Sequence, residues 1–228
     1  MKIRAVLFDV YGTLLKSRAD GVHPDPVLRA EIARVHAESP HPFPEVDIRE
    51  IHSALHPEMS ATEIEELALR HERKVNPLSA MPGAREALEG LAAMGLKLGL
   101  VSNAQFYTVP VIEENLEASL GELGIGCDLC WFSYVVRRAK PDSWLFEAAR
   151  EALVEMGVEA GEVLYVGNDV HNDIDPARTT GFRSVLFAGD ADSLRLRGRS
   201  PDDCGADHVI RDLRELLRLV SPMPGSPP

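Results

Sequence analysis

Residues Ala5 to Phe8 form an unbroken apolar run that stops at Asp9 and leads into Gly12-Thr13, and this junction constrains the chain more than any other stretch. Continuous apolar, β-branched and aromatic residues bounded by a turn read as a strand buried on both faces. In open parallel sheets, ligands bind in the crevice beyond the carboxyl ends of such strands. Asp9 stands at that end, close to a glycine that lets backbone and ligand approach each other. Its carboxylate is therefore a candidate nucleophile or metal ligand. A turn aspartate satisfied by local amides is the competing reading.

The next segment, 16–81, has little strand character. Apolar residues recur there at helical spacing: Val27, Leu28, Ile32 and Val35; then Ile48, Ile51 and Leu55; then Ile64, Leu67, Ala68 and Val75. Ser60-Ala-Thr-Glu63 has the form of a capping box and should start the third helix. Six of the eight histidines, His23, His36, His41, His52, His56 and His71, fall in this segment and are read mostly as surface residues. From Pro82 onward helix and strand signals alternate. Strands are expected at 97–101, 129–134, 163–166, 184–187 and 208–210, with helices between them. Such alternation predicts an α/β fold with a doubly wound parallel sheet. The core would comprise 1–15 and 82–220, with 16–81 a helical insert over the carboxyl end of the first strand and 221–228 a disordered proline-rich tail.

A formal charge of -12 argues against nucleic acid or an anionic membrane as partner. An anionic substrate would need local positive charge or a cation at its site. Lys2 and Arg4 precede an apolar run, but Asp9 and Gly12 interrupt it and no small-residue cleavage pattern follows. No apolar stretch approaches the roughly 20 residues that span a bilayer. A cytoplasmic protein is the expectation. Cys127 and Cys130 have metal or redox spacing without a second pair, and with Cys204 they are read as reduced thiols packing beside a strand.

Several strand ends would be gathered at one edge of the sheet. They carry Asp9; Ser102-Asn103; the stretch Arg137-Arg-Ala-Lys140-Pro141-Asp142; and Gly167-Asn168-Asp169-Val-His171-Asn172-Asp173. Pro141 suits a helix start just after Lys140. In this order and spacing the chain resembles the haloacid dehalogenase-like (HAD) hydrolase superfamily over essentially its whole length, with motifs at Asp9 to Thr13, Ser102, Lys140 to Asp142 and Gly167 to Asp173. The resemblance implies a Rossmann-like core with 16–81 as a helical cap. It also implies covalent catalysis: Asp9 attacks, Ser102 and Asn103 hold the transferring group, and Lys140 stabilises Asp9 and the intermediate. In the family's phosphatases Mg2+ is held by the nucleophile, the backbone carbonyl two residues on (Tyr11 here) and a fourth-motif acid. Asp169 and Asp173 are the acids present, and Asn168 stands where many relatives have the first of them.

Tyr11 departs from the phosphatase pattern, in which a second Asp serves as acid and base. The family's 2-haloacid dehalogenases, which need no metal, share Asp-x-Tyr-Gly-Thr. A halide leaves without a proton, so for them the missing acid is no loss. Electrostatics favour the other branch. Asp9, Asp169 and Asp173 in one crevice would repel one another and an anionic substrate unless a cation such as Mg2+ joined them. The expectation is a Mg2+-dependent phosphatase for a small phosphorylated metabolite. A metal-free 2-haloacid dehalogenase is the first alternative; the cap offers no clear counterpart to that family's haloacid-gripping arginine, for which Arg29, Arg34 and Arg49 are the residues available. A catalytically weak phosphate-binding protein is the second. His171, in the fourth-motif loop, is read as exposed.

Overall fold

In the computed structural model, which describes residues 2–17 and 24–221, the first apolar run is β1 (Ala5–Phe8), with every residue buried. A two-residue ribbon, β2 (Leu15–Lys16) against β3 (Ser79–Ala80), brackets three helices: α1 (Pro26–Glu38), α2 (Ile48–Leu55) and α3 (Ala61–Val75). Next come α4 (Ala84–Ala93), β4 (Lys97–Ser102), α5 (Thr108–Leu116), β5 (Ile125–Phe132), α6 (Ser133–Val136) and α7 (Trp144–Glu155). The chain continues through β6 (Val163–Gly167), a π-helical turn (Val170–Ile174), α8 (Asp175–Thr179), β7 (Arg183–Phe187), β8 (His208–Ile210) and α9 (Leu216–Val220).

The main sheet has six parallel strands in the order β5-β4-β1-β6-β7-β8. The chain winds outward from β1 through β4 to β5, then crosses back and winds the other way from β6. That reversal beside β1 is the switch point at which α/β sheets bind ligands. Side chains alternate faces along a strand. Val6 and Phe8 therefore pack with α4, α5 and α9, while Ala5 and Leu7 pack with α7 and α8 on the opposite face.

Strand β5 begins at Ile125, four residues before the expected start at Leu129. Its first part is disguised by exposed Cys127 and Asp128, where the register with β4 also shifts. Cys127 and Cys130 thus sit within the strand as free thiols, and Cys204 is free and buried. Pro141 does not open α7; the helix starts three residues later at Trp144.

Ser60 and Glu63 form the expected capping box at the start of α3. Leu28 is buried on α1, whereas Val27 is 58% exposed, so the buried stripe runs Leu28, Ile32, Val35 without it. The histidines are not all peripheral. His52 is only 3% exposed, and its ring lies 6.4 Å from that of His56 and 6.0 Å from that of His71. His23 and the tail beyond Ser221 lie outside the described residues.

The helical segment is also stitched to the core at a second place. Ala139 N donates to Phe43 O at 2.8 Å and Glu45 N to Arg137 O at 3.1 Å, just before Lys140 in sequence. Gln105 grips the same segment, accepting from Ile48 N and donating to Val46 O, both at 2.9 Å. Among the described residues, no helix is long and apolar enough to cross a membrane.

Candidate active site

Asp9 N donates to Val166 O at 2.9 Å, which fixes Asp9 just beyond β1 and against β6. The chain then turns sharply, with Leu14 N bonding Val10 O at 2.9 Å. Gly12 sits at φ +89°, in the left-handed region, and a Cβ there would strike the Asn168 and Ser193 side chains. Glycine is required at this position on both counts.

Three further strand ends deliver partners to Asp9. At the end of β4, Ser102 Oγ donates to Asp9 Oδ1 at 3.0 Å. Asn103 clamps the backbone of Lys140, accepting from its N–H at 2.7 Å and donating to its carbonyl at 3.2 Å. The clamp explains how a loop lysine reaches a fixed place: Lys140 Nζ donates to Asp9 Oδ1 at 2.7 Å and to Asp173 Oδ1 at 2.6 Å. Tyr165, projecting from β6, adds its hydroxyl 3.0 Å from the same ammonium. Asp173 is oriented on its other side, where Oδ2 accepts from Asn168 N at 3.1 Å and Asp169 N at 2.9 Å. A Cβ on Gly167 would collide with that carboxyl group, so the fourth motif needs its glycine for the acid to fold back.

Two buried carboxylates share one buried ammonium, and the electrostatics follow. Burial pushes Asp9 up to about 6, against the pull of Lys140. Burial opposes the charge on Lys140, but Asp173 and Asp9 hold its pKa above the ordinary value. Both directions say that the cluster, with one more negative than positive charge, binds a proton readily.

Asp169 is placed differently. Its Oδ1 caps the π-helical turn, accepting from His171 N at 2.9 Å, and its carboxylate is gripped by Arg197 through Nε and Nη2. Asn168 is likewise engaged: it accepts from Thr13 Oγ at 3.3 Å and donates to Ser193 O. His171 is exposed.

The three carboxylates expected around Mg2+ therefore face one cavity without forming a cage. Asp9 and Asp173 meet on Lys140, and Asp169 is paired to Arg197. Among the described residues, no three His, Cys, Asp or Glu side chains form a group able to hold a metal ion. Asp169 and Asp173, expected as metal ligands, are thus each paired with a protein cation in this structure. The Lys140 and Ser102 bonds both fall on Asp9 Oδ1, which leaves Oδ2 to the cavity. Asp9, Tyr11 and Asn168 all line the cavity, and their carboxylate, backbone-carbonyl and amide oxygens are hard donors of the kind that suits Mg2+.

The Tyr11 hydroxyl is 2.9 Å from Thr108 Oγ at the start of α5. Burial raises its pKa above the ordinary tyrosine value, so the phenol is neutral across the physiological range. Tyr11, Asp9 and Lys140 line a cavity of about 1020 Å³ shared by the sheet edge and the helical segment. His36, His52 and His71, one from each of α1, α2 and α3, line it too, as does Glu45. Of the three cap arginines available for a haloacid, Arg29 alone lines it; Arg34 pairs with Glu31 and Glu38, and Arg49 with Asp47 and Glu65.

Sequence reasoning missed Arg195 and Arg197, which line the cavity from the loop after β7, and it missed the histidines. For the arginines no sequence signal exists, because a parallel bridge between Asp169 and Arg195 brings that loop in. For His52 a signal did exist: His56, the residue that caps α2, follows it four residues on, and the two rings stack.

Known proteins resemble the chain over much of its length. A ribulose-1,5-bisphosphate 5-phosphatase of Halopiger xanaduensis is 31% identical over 148 residues, covering 63% of this chain and 58% of that protein. A glyceraldehyde 3-phosphate phosphatase of Methanocaldococcus jannaschii is 29% identical, with 66% of this chain and 60% of the relative covered. The matches thus span less than two thirds of those two relatives. An N-acetylmuramic acid 6-phosphate phosphatase of Pseudomonas aeruginosa is 26% identical over 96% of both chains. Among solved structures, a HAD phosphatase from Thermococcus onnurineus has a TM-score of 0.62 at 23% identity, covering 96% of this chain and 98% of that one. An L-2-haloacid dehalogenase has the same TM-score at 22% identity over 96% and 99%, so the fold is common to both chemistries. The family profile described as haloacid dehalogenase-like hydrolase matches residues 3–181, which takes in the nucleophile strand, the lysine and the fourth-motif loop, and the chain belongs to that hydrolase family.

Proposed function

We propose that the protein is a phosphatase that cleaves a small phosphorylated metabolite through an aspartyl-phosphate at Asp9. The observation that carries this reading is the ammonium of Lys140 2.7 Å from Asp9 Oδ1, with Ser102 Oγ 3.0 Å from the same oxygen, at the floor of a large cavity. Support also comes from the phosphatase names of relatives that are 26–31% identical.

In the first step Asp9 Oδ2 attacks phosphorus, an O–P bond forms and the ester O–P bond breaks. The leaving oxygen takes a proton from solvent or from a cavity group. In the second step water attacks the phosphorus of the acyl phosphate, releasing inorganic phosphate and restoring the Asp9 carboxylate. Ser102 and Lys140 hold the nucleophile in one rotamer and supply donors toward the oxygens where charge develops. Mg2+ is the cofactor assigned to the Asp9, Tyr11 carbonyl and Asn168 oxygens; when bound it would neutralise part of the phosphate charge. Segment 16–81 is assigned as a lid that contributes the helical wall of the cavity and selects the substrate.

A second reading, a 2-haloacid dehalogenase, is favoured by Tyr11 and by the likeness of Ser102-Asn103 to that group's second motif. There Asp9 would displace halide from carbon, and water would then cleave the ester. Phosphate release from a panel of phosphate esters with Mg2+, run beside halide release from 2-chloropropionate in chelator, separates the two. Phosphate without halide supports the phosphatase; halide without phosphate overturns it.

A further inference from the structure

We propose that Arg197 is a positioning residue that holds Asp169 as its counter-ion and thereby keeps the divalent-metal affinity of the site low. The proposal rests on the Mg2+ assignment above. Asp169 faces the same cavity as Asp9 and Asp173, and its side chain is only 9% exposed. A nearly buried carboxylate beside a second acid is the group that a hard cation would draw on first. Here it is filled from within the protein. Arg197 Nε and Nη2 meet its two oxygens in the two-pronged geometry suited to guanidinium and carboxylate.

The placement of Arg197 is deliberate in backbone terms. The residue sits at φ +54°, in the left-handed region that side-chain-bearing residues seldom adopt. Its loop is tied to the fourth motif by Val170 N to Arg195 O and Arg195 N to Asn168 O, both 2.9 Å. The neighbouring Arg195 spends Nη1 on the carbonyls of Asp192 and Leu194, so the two arginines are not equivalent. A cation approaching Asp9 thus meets a site in which the charges of Asp169 and Asp173 are already answered by Arg197 and Lys140. Asp169 would stay in place without Arg197, because His171 N, Asn172 N and Asn172 Nδ2 hold it independently.

The test is Mg2+ titration by calorimetry on the full chain as wild type, Arg197→Gln, the double variant Arg197→Gln/Asp169→Asn, and Asp9→Asn. Baring one carboxylate charge on the order of 6 Å from a doubly charged cation, at an effective dielectric between 20 and 80, should tighten binding by roughly 10- to 10⁴-fold. The expected result is tighter binding in Arg197→Gln, returned to the wild-type value in the double variant. A purely structural role for Arg197 would weaken binding instead. Unchanged or weaker binding in an Arg197→Gln protein with wild-type circular dichroism overturns the proposal. If binding is also lost in Asp9→Asn, the Mg2+ assignment survives that result. Absence of binding in both wild type and Arg197→Gln overturns the proposal and the assignment together.

Discussion

The ammonium of Lys140 lies 2.7 Å from the Asp9 carboxylate, and both side chains are less than a tenth exposed. Asp173 takes up the other side of the same ammonium at 2.6 Å. One cation therefore holds two buried acids. Removing it should be costly in two ways. Lys140→Met should lose about 3–5 kcal/mol of stability at pH 7.5, the usual consequence of stranding a buried charge. Turnover should fall at least ~100-fold. Urea denaturation at pH 7.5 and 5 checks the first, and the deficit should shrink at pH 5 as one of the two facing carboxylates takes a proton. Lys140→Arg should not restore activity, since a planar guanidinium cannot occupy the point between the two acids.

Asp9 itself should make the metal-free protein less stable. Its folded pKa, raised by burial from 3.8 to about 6, means that the native state holds this proton more tightly than the unfolded chain. The stability contributed by that proton is complete below pH 3.8 and is lost as pH rises through about 6. Asp9→Asn should therefore melt higher than wild type in chelator at pH 7.5, by up to about 3 kcal/mol, and the difference should vanish near pH 4. Equal melting at every pH would show that Lys140 cancels the burial penalty in full. The same titration should appear as an acid limb near pH 6 in kcat/KM at low Mg2+, moving to lower pH as Mg2+ is raised.

Much of this site could be read from the chain, because strand ends are marked locally: an apolar run stops and a polar residue follows, as at Phe8-Asp9, Ser102 and Gly167. A parallel sheet then brings such ends to one edge without further information. Who pairs with whom could not be read. That Asp169 belongs to Arg197, 28 residues on, follows from a bridge between two loops, and loops carry no periodicity. The stitch from Phe43 and Glu45 to Arg137 and Ala139 was hidden for the same reason. Strand β5 shows the converse: its first half was invisible because exposed Cys127 and Asp128 break the apolar run.

The phenol of Tyr11, bonded to Thr108 and neutral, can donate a proton but cannot return as a base at neutral pH. A positioned acid–base group is worth about 10²–10⁴-fold. Aryl and acyl phosphates, whose leaving groups need little protonation, should therefore be turned over faster than alkyl phosphates by about that margin. Tyr11→Asp should narrow the gap by raising the alkyl rate. Steady-state phosphate release from matched aryl and alkyl esters measures both. Equal wild-type rates, unchanged in Tyr11→Asp, would assign the proton to another cavity residue such as Glu45 or His36.

Opening of the proposed lid must break the bonds from Ala139 N to Phe43 O and from Glu45 N to Arg137 O. In amide hydrogen exchange these two amides should exchange far faster than those of β1, and bound vanadate, by favouring the closed form, should slow them several-fold. Protection equal to that of β1, with or without vanadate, would show that segment 16–81 does not move as a lid.

The central claim is that Asp9 accepts a phosphoryl group. Wild-type protein mixed with an aryl phosphate and Mg2+ can be acid-quenched within one turnover, digested and analysed by mass spectrometry. The account predicts one phosphoryl mass on the peptide containing Asp9, absent in Asp9→Asn and lost on longer incubation as phosphate appears. Phosphate release with the Asp9 peptide unmodified at every quench time, or undiminished turnover by Asp9→Asn, would contradict it.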